Sequence, residues 1–206
     1  MSYARDVFIN CPFDAEFARG FDALVFAVLA CGFRARCARE MDDSSQTRID
    51  KLYGIVEQSK FGIHDLSRTE LDENNHLPRF NMPLELGLFL GAKRFGDKHQ
   101  KLKRCLILDT EQYRYQKFIS DIAGMDITAH NGDPRAMVVS TRNWLATVSK
   151  RSTIPGPAEV TDSYNRFITA LPDIARNAGL ESPNVAYPDY ERLVRAWLGE
   201  EGLAAT

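Results

Sequence analysis

The sequence has no apolar run long enough to cross a bilayer and no marked excess of either charge. A membrane-spanning helix needs about 20 consecutive apolar residues, and no stretch of this chain reaches that length. The 206 residues carry a net charge of −2, so the overall charge favours neither nucleic acid nor an anionic membrane surface. The first residues lack the basic segment and apolar core of a signal peptide. We therefore expect a cytoplasmic protein without a membrane or nucleic-acid partner.

Motifs for metal binding and for nucleoside triphosphate hydrolysis are also missing. The four cysteines form no Cys-x-x-Cys pair and have no histidine cluster beside them, which argues against a zinc site. No Gly-x-x-x-x-Gly-Lys-Ser/Thr motif is present, which excludes a P-loop hydrolase at the level of sequence. A phosphatase loop built on Cys11 would need arginine at position 17, which is Phe.

Short apolar segments that alternate with helical patterns make up the first 150 residues. Segments typical of strands lie at 6–10, 33–39, 60–65, 105–108 and 125–129. Segments with helical spacing of apolar residues lie at 16–31, 48–59, 81–95 and 134–149. This alternation predicts an α/β protein with the flavodoxin-like three-layer fold and a five-stranded parallel sheet in the order 2-1-3-4-5.

The remainder of the chain predicts additional helices. A linker-like Ile-Pro-Gly-Pro segment at 154–157 precedes helical patterns at about 160–178 and 189–199. We therefore expect an α/β domain over residues 1–152 and a helical C-terminal extension over 158–206, packed on that domain.

The segment 81–91 places one carboxylate, Glu85, in an otherwise apolar stretch. Asn81 suits the N-cap of a helix and Pro83 suits its first turn. The remaining residues predict a helix that is apolar on most faces and largely buried. A buried carboxylate is unfavourable unless it is paired or used. Glu85 therefore has two interpretations, a structural cap or ion pair and a functional group.

Other polar residues follow the first and third strands of the predicted sheet. Ligands of such sheets bind beyond the carboxyl ends of the strands where the strand order reverses, here between β1 and β3. The candidate substrate-binding residues there are Asn10, Cys11, Pro12, Phe13, Asp65, Ser67, Arg68 and Asn81. Asp65 has an alternative role as a cap of the next loop, and Arg68 as the ion-pair partner of Glu85 or of a ligand phosphate. Because three separate segments converge, we favour a functional role for Glu85.

These residues resemble the TIR-like and nucleoside 2-deoxyribosyltransferase-like superfamily. The resemblance lies in a first strand that ends in a polar turn, a third strand that ends in Asp65, and Asn-x-x-x-Glu-Leu-Gly from Asn81. It covers about the first two-thirds of the chain and is specific only in segment 81–91. It implies cleavage of an N-glycosidic bond, with Glu85 as the catalytic carboxylate, Asn81 holding the ribose or the loop, and Asp65 lining the pocket.

Two departures bear on the activity that the resemblance implies. The loop over residues 66–80 is long and charged, and the helix lacks the Gly-Thr dipeptide that transferases of this group often carry before the glutamate. A TIR-like domain that cleaves NAD or binds nucleotides therefore matches better than a transferase. The resemblance implies a hydrolase of bacterial defence, with NAD or another nucleotide or nucleoside as substrate, no cofactor, and assembly into a homo-oligomer.

Two other classes of function compete with the N-glycosidase. In a non-catalytic TIR-like module that senses nucleotides or binds partners, Glu85 would be a cap or an acceptor for a ligand hydroxyl. A phosphoacceptor receiver domain shares the strand order and would use Asp65. However, β1 ends in Asn10-Cys11 rather than in a pair of acids, and no Lys-Pro follows the fifth strand.

Overall fold

The computed structural model describes residues 3–40, 44–71, 76–181 and 185–203. Its five strands form one all-parallel sheet in the order β2-β1-β3-β4-β5, which confirms the predicted fold class and strand order. Ile9 pairs with Ile63, which pairs in turn with Leu106, so the sheet centre is apolar. The strands are β1 (Asp6–Asn10), β2 (Arg34–Arg36), β3 (Phe61–Asp65), β4 (Arg104–Asp109) and β5 (Ile127–Ala129).

Helices cover both faces of the sheet. They are α1 (Ala18–Ala30), α2 (Arg48–Gln58), α3 (Asn81–Phe95), α4 (Pro134–Ser149), α5 (Pro157–Asn177) and α6 (Tyr187–Glu200). The segment between β4 and β5 forms two short 3₁₀ turns, Arg114–Lys117 and Ser120–Ile122. Among the helices described, none combines the length and the apolar character that a bilayer span requires.

Successive residues of β1 point to opposite faces of the sheet, as the pleat of a strand requires. Val7 and Ile9 belong to the core on the side of α1 and α4, whereas Phe8 packs with Phe89 on the side of α2 and α3. The carboxyl ends of β1 and β3 lie side by side in this arrangement. Residues after these strands therefore meet at one edge of the sheet.

The C-terminal helices α5 and α6 share the core of α1. The ring of Phe26 in α1 lies 5.4 Å, between centroids, from each of the rings of Tyr164 and Phe167 in α5. The hydroxyl of Tyr187 in α6 donates a hydrogen bond of 2.9 Å to the carbonyl oxygen of Ala35 in β2. Both faces of α1 are therefore covered, one by the sheet and α4, the other by α5 and α6.

The structure corrects two expectations about α3. Its cap position is occupied by Phe80, no side chain caps it, and Asn81 is its first residue, so the predicted N-cap is wrong. The helix is also less buried than predicted, because Leu84 is 56% exposed and the buried positions are Met82, Glu85, Leu86 and Phe89.

Candidate functional site

The start of α3 is fixed on the sheet by Asn10, the last residue of β1. The side-chain amide of Asn10 donates a hydrogen bond of 2.9 Å to the carbonyl oxygen of Met82, and its nitrogen lies 3.0 Å from Nδ1 of His64. Asn10 is buried, so its amide serves the protein rather than a ligand. The contact holds the first turn of α3, and with it Glu85, at the carboxyl ends of β1 and β3.

Glu85 faces a cavity of about 340 Å³, which we call the Glu85 cavity. Five of the predicted site residues line it: Cys11, Pro12, Phe13, Asn81 and Glu85. Its other lining residues are Asp14, Arg48, Arg79 and Met82. The sequence analysis therefore identified five lining residues of this cavity but did not identify Arg48 and Arg79.

Burial dominates the electrostatics of Glu85. The residue is 5% exposed, and loss of hydration raises the pKa of its carboxyl group from 4.5 to about 7. Arg48 opposes this shift, but its Nη2 lies 3.8 Å from Oε1 of Glu85 and its side chain is mostly exposed. A cation that entered the cavity would favour the ionised carboxylate.

Phe13 forms an aromatic wall of the Glu85 cavity. The guanidinium carbon of Arg39 lies 4.7 Å from the centre of its ring, and Nη2 of Arg39 donates a hydrogen bond of 2.8 Å to its carbonyl oxygen. The ring of Phe21 packs at right angles to it, with 5.3 Å between centroids. Phe13 is therefore held in place without a ligand and can present a fixed apolar surface to one.

Arg68 does not pair with Glu85, which was one of the roles expected for it. Its Nε lies 3.2 Å from Oδ2 of Asp14, and its Nη1 pairs with Glu16. Arg79 Nη1 lies 3.0 Å from the same oxygen of Asp14. The carboxylate of Asp14 is thus shared by two arginines at the rim of the Glu85 cavity.

Ser67 and Arg68 line a second cavity of about 250 Å³, which we call the Ser67 cavity. It lies between the first turns of α1 and α4, beyond the ends of β3, β4 and β5. The other lining residues are Glu16, Phe17, Arg19, Gly20, Thr110, His130, Gly132, Pro134 and Met137. Seven of the nine predicted site residues are therefore divided between the two cavities, and Asn10 and Asp65 line neither.

Asp65 lies beneath the Ser67 cavity, in contact with His130. Oδ2 of Asp65 is 3.0 Å from Nε2 of His130, and Oγ of Ser67 is 2.9 Å from the same ring nitrogen. The backbone N–H of Gly132 donates to Nδ1 of His130 at 3.0 Å. A catalytic triad needs the carboxylate and the nucleophile on different ring nitrogens. These three side chains therefore do not form one.

The sequence contains a signal for one of the lining residues that we did not predict, His130, but none for the approach of Arg48 to Glu85. His130 follows β5, so the rule that ligands bind at the carboxyl ends of strands applied to it as well. Arg48 is the first residue of α2, after Thr47, whose hydroxyl caps the helix by accepting from the backbone N–H of Asp50. That cap was readable from the sequence, but nothing local placed the start of α2 beside α3.

Within the described ranges, no group of three or more His, Cys, Asp or Glu side chains is arranged to hold a metal ion. The four cysteines are free thiols. No family model, curated protein or solved structure matches this chain. The fold and the geometry of the two cavities therefore carry the functional argument.

Proposed function

We propose that the protein is a hydrolase that cleaves the N-glycosidic bond of NAD or of a related nucleotide or nucleoside, with Glu85 as the catalytic carboxylate. The observation that carries the proposal is a carboxyl group, 5% exposed, that faces a cavity at the edge between β1 and β3. Among the described residues, none donates a hydrogen bond to it, and its ionic partner Arg48 is distant at 3.8 Å. Such a carboxylate is available to a substrate.

The chemistry follows from the charge that develops at the ribose. When the bond between C1′ and the base nitrogen breaks, its electron pair leaves with the base and C1′ takes on oxocarbenium character. A preorganised carboxylate beside C1′ stabilises that positive charge. Water then adds to C1′ and releases one proton, which gives the free sugar product.

The lining of the Glu85 cavity favours a base that leaves without being protonated. The other carboxyl group in the lining is that of Asp14, which Arg68 and Arg79 both bind. That carboxylate therefore already has two cationic partners at the rim of the cavity. A cationic base such as nicotinamide departs as a neutral molecule and needs no acid, so NAD suits the cavity better than an ordinary nucleoside.

The proposal is tested by incubating concentrated protein with NAD and with a panel of nucleosides and nucleotides. Free base is followed by chromatography for the wild type and for Glu85→Gln. We expect release of base by the wild type and a loss of at least about 100-fold in Glu85→Gln, because the charge at C1′ is then uncompensated. Glu57→Gln, which changes an exposed glutamate of α2, is the matched control. Equal rates for Glu85→Gln and the wild type would refute the proposal.

The second candidate is a module that binds nucleotides without turnover. It is favoured by the exposed apolar side chains of Phe80 and Leu84, which flank Asn81 and Glu85 at the start of α3. Apolar groups beside a cavity suit a surface that contacts a partner or another copy of the chain. A nucleotide that raises the melting temperature while no base is released, at any protein concentration, would support this function over catalysis.

A further inference from the structure

We propose that the Ser67 cavity is a separate binding site for a phosphate monoester that carries a small apolar or planar group. The site is independent of the Glu85 cavity and of the reaction proposed for it. Its recognition elements are the hydroxyl of Ser67 and the guanidinium groups of Arg19 and Arg68, all of which line the cavity.

The position of the proton on His130 leaves Ser67 with an unused donor. Because Nδ1 of His130 accepts from the backbone N–H of Gly132, the proton of the neutral ring is on Nε2. Nε2–H then donates towards Asp65 and Ser67, and the oxygen of Ser67 is the acceptor. The hydroxyl hydrogen of Ser67 has no acceptor among the residues described.

An unused donor on a buried residue indicates that its acceptor comes from outside the protein. Ser67 is 6% exposed and lines the cavity, and buried polar groups are nearly always hydrogen-bonded. Thr110 lines the same cavity. An oxygen-rich ligand can accept from the Ser67 hydroxyl, whereas an apolar ligand would leave its hydrogen unsatisfied.

The charged side chains of the lining are two arginines, Arg19 and Arg68, and one glutamate, Glu16, so positive charge is in excess and favours an anion. Arg19 is exposed at the rim and, within the part of the chain that the structure describes, has no ion-pair partner. Arg68 pairs with Asp14 and with the exposed carboxylate of Glu16, partners that an incoming anion can replace in part. A phosphate monoester offers three terminal oxygens and close to two negative charges, which match two guanidinium groups and one hydroxyl.

Part of the lining of the Ser67 cavity is apolar, and free inorganic phosphate would leave that part unfilled. Phe17 and Met137 are buried beside the cavity, and Pro134 adds a further apolar surface. Gly20 allows this close packing, because a Cβ there would lie 2.9 Å from the Phe17 ring and 3.1 Å from the Met137 sulfur. A volume of about 250 Å³ holds a phosphate group with a small ring.

The site is tested with phenyl phosphate as the probe, titrated calorimetrically at constant ionic strength set with sodium chloride. Phenol tests the ring alone, and inorganic phosphate tests the anion alone. We expect saturable binding of phenyl phosphate, weaker binding of inorganic phosphate and none of phenol. Ser67→Ala and Arg19→Gln should each weaken the binding of phenyl phosphate about tenfold, the usual effect of losing one hydrogen bond or ion pair to a charged group.

Two controls separate this site from a general effect of charge and from the Glu85 cavity. Arg104→Gln removes the same charge at the opposite edge of the sheet and should leave the affinity unchanged. Arg48→Gln and Glu85→Gln change the Glu85 cavity and should also leave it unchanged. Melting curves show that each variant folds, and Arg68→Lys, which keeps the charge, should bind better than Arg68→Gln.

The proposal is overturned if phenyl phosphate shows no saturable binding. It is also overturned if Ser67→Ala and Arg19→Gln bind like the wild type, or if binding is lost in Arg48→Gln, which would place the anion in the Glu85 cavity. Because the readout is binding, it does not depend on base release. A failure of either proposal leaves the other open to its own test.

Discussion

The carboxyl group of Glu85 is 5% exposed, and its ion-pair partner Arg48 lies 3.8 Å away. Burial raises its pKa to about 7, above its ordinary value of 4.5. Between these two pH values the folded protein keeps a proton that the unfolded chain has lost. The free energy of unfolding therefore falls as the pH rises from about 4.5 through 7.

Replacing Glu85 with Gln should consequently stabilise the protein at high pH. At pH 8 we expect Glu85→Gln to unfold at a higher urea concentration than the wild type. Its free energy of unfolding should be greater by an amount on the order of 3 kcal/mol at most, and at pH 4.5 the two proteins should differ little. The measurement is urea denaturation at the two pH values. A stability difference that does not change with pH would show that ionisation of Glu85 is not its cause.

The same ionisation predicts the pH dependence of catalysis. If Glu85 acts as a carboxylate, kcat/KM for base release should rise with pH, with an inflection near pH 7, and level off above pH 8. The rise reflects the growing fraction of ionised Glu85 in the free enzyme. A rate that falls over this range would instead make Glu85 a proton donor and exclude the mechanism proposed above.

Asn10 is expected to act on the site through α3. Asn10→Ala removes the donor to the carbonyl of Met82 and leaves a small void among buried groups. The free energy of unfolding should fall by about 2 to 3 kcal/mol, since a buried acceptor loses its partner. Urea denaturation measures it, and Asn143→Ala, on the exposed face of α4, should stay within about 0.5 kcal/mol of the wild type.

At the scale of whole elements, α3 shows that apolar composition does not decide burial. Leu84 and Leu86 are two positions apart on one helix, yet Leu84 is exposed and Leu86 is buried against β4 residues such as Ile107. We expect Leu86→Ala to lower the free energy of unfolding by about 2 to 5 kcal/mol. Leu84→Gln should change it by less than about 0.5 kcal/mol.

Chemical denaturation of the two variants distinguishes this arrangement from the largely buried α3 that the sequence predicted. Comparable losses of stability would mean that the outer face of α3 is covered in solution. In that case the loss in Leu84→Gln should depend on protein concentration, as expected if another copy of the chain covers that face.

The sequence predicted the bounds of single helices and strands better than it predicted which of them pack against one another. The bounds of β1 and α4 agree with the prediction, because alternating strand and helix periods and a proline at the start of α4 are local signals. Cys11 and Phe13 were placed correctly beside Glu85 because strand order alone brings the end of β1 next to α3. Arg48 was missed because its approach to Glu85 depends on how α2 packs on α3.

Local sequence signals also could not predict that the site residues divide between two cavities. Asp65 and His64 are adjacent in β3 but face opposite sides of the sheet, where Asp65 contacts His130 and His64 packs on Phe89. Which of two alternating residues faces a given layer depends on the register of the entire sheet. The sequence identified the edge of the sheet, and the structure was needed to assign each side chain to a face.

At the scale of the whole molecule, α5 and α6 contribute buried residues to the same hydrophobic core as α1. Phe167 is fully buried and contacts rings of both α1 and α6. We expect Phe167→Ala to lower the free energy of unfolding by about 3 to 5 kcal/mol and to keep a single cooperative transition. Calorimetry is the measurement, and two separate transitions would show that the C-terminal helices unfold on their own.

The position of α5 and α6 over α1 has a consequence for synthesis on the ribosome. The five strands and α1 to α4 are complete by residue 149, but the rings of Tyr164 and Phe167 that pack on Phe26 of α1 come after residue 156. At 5 to 20 residues per second, the ribosome needs roughly 3 to 10 s to add residues 157–206. During that interval a nearly folded chain displays an apolar surface on α1, which chaperones that recognise such surfaces can bind.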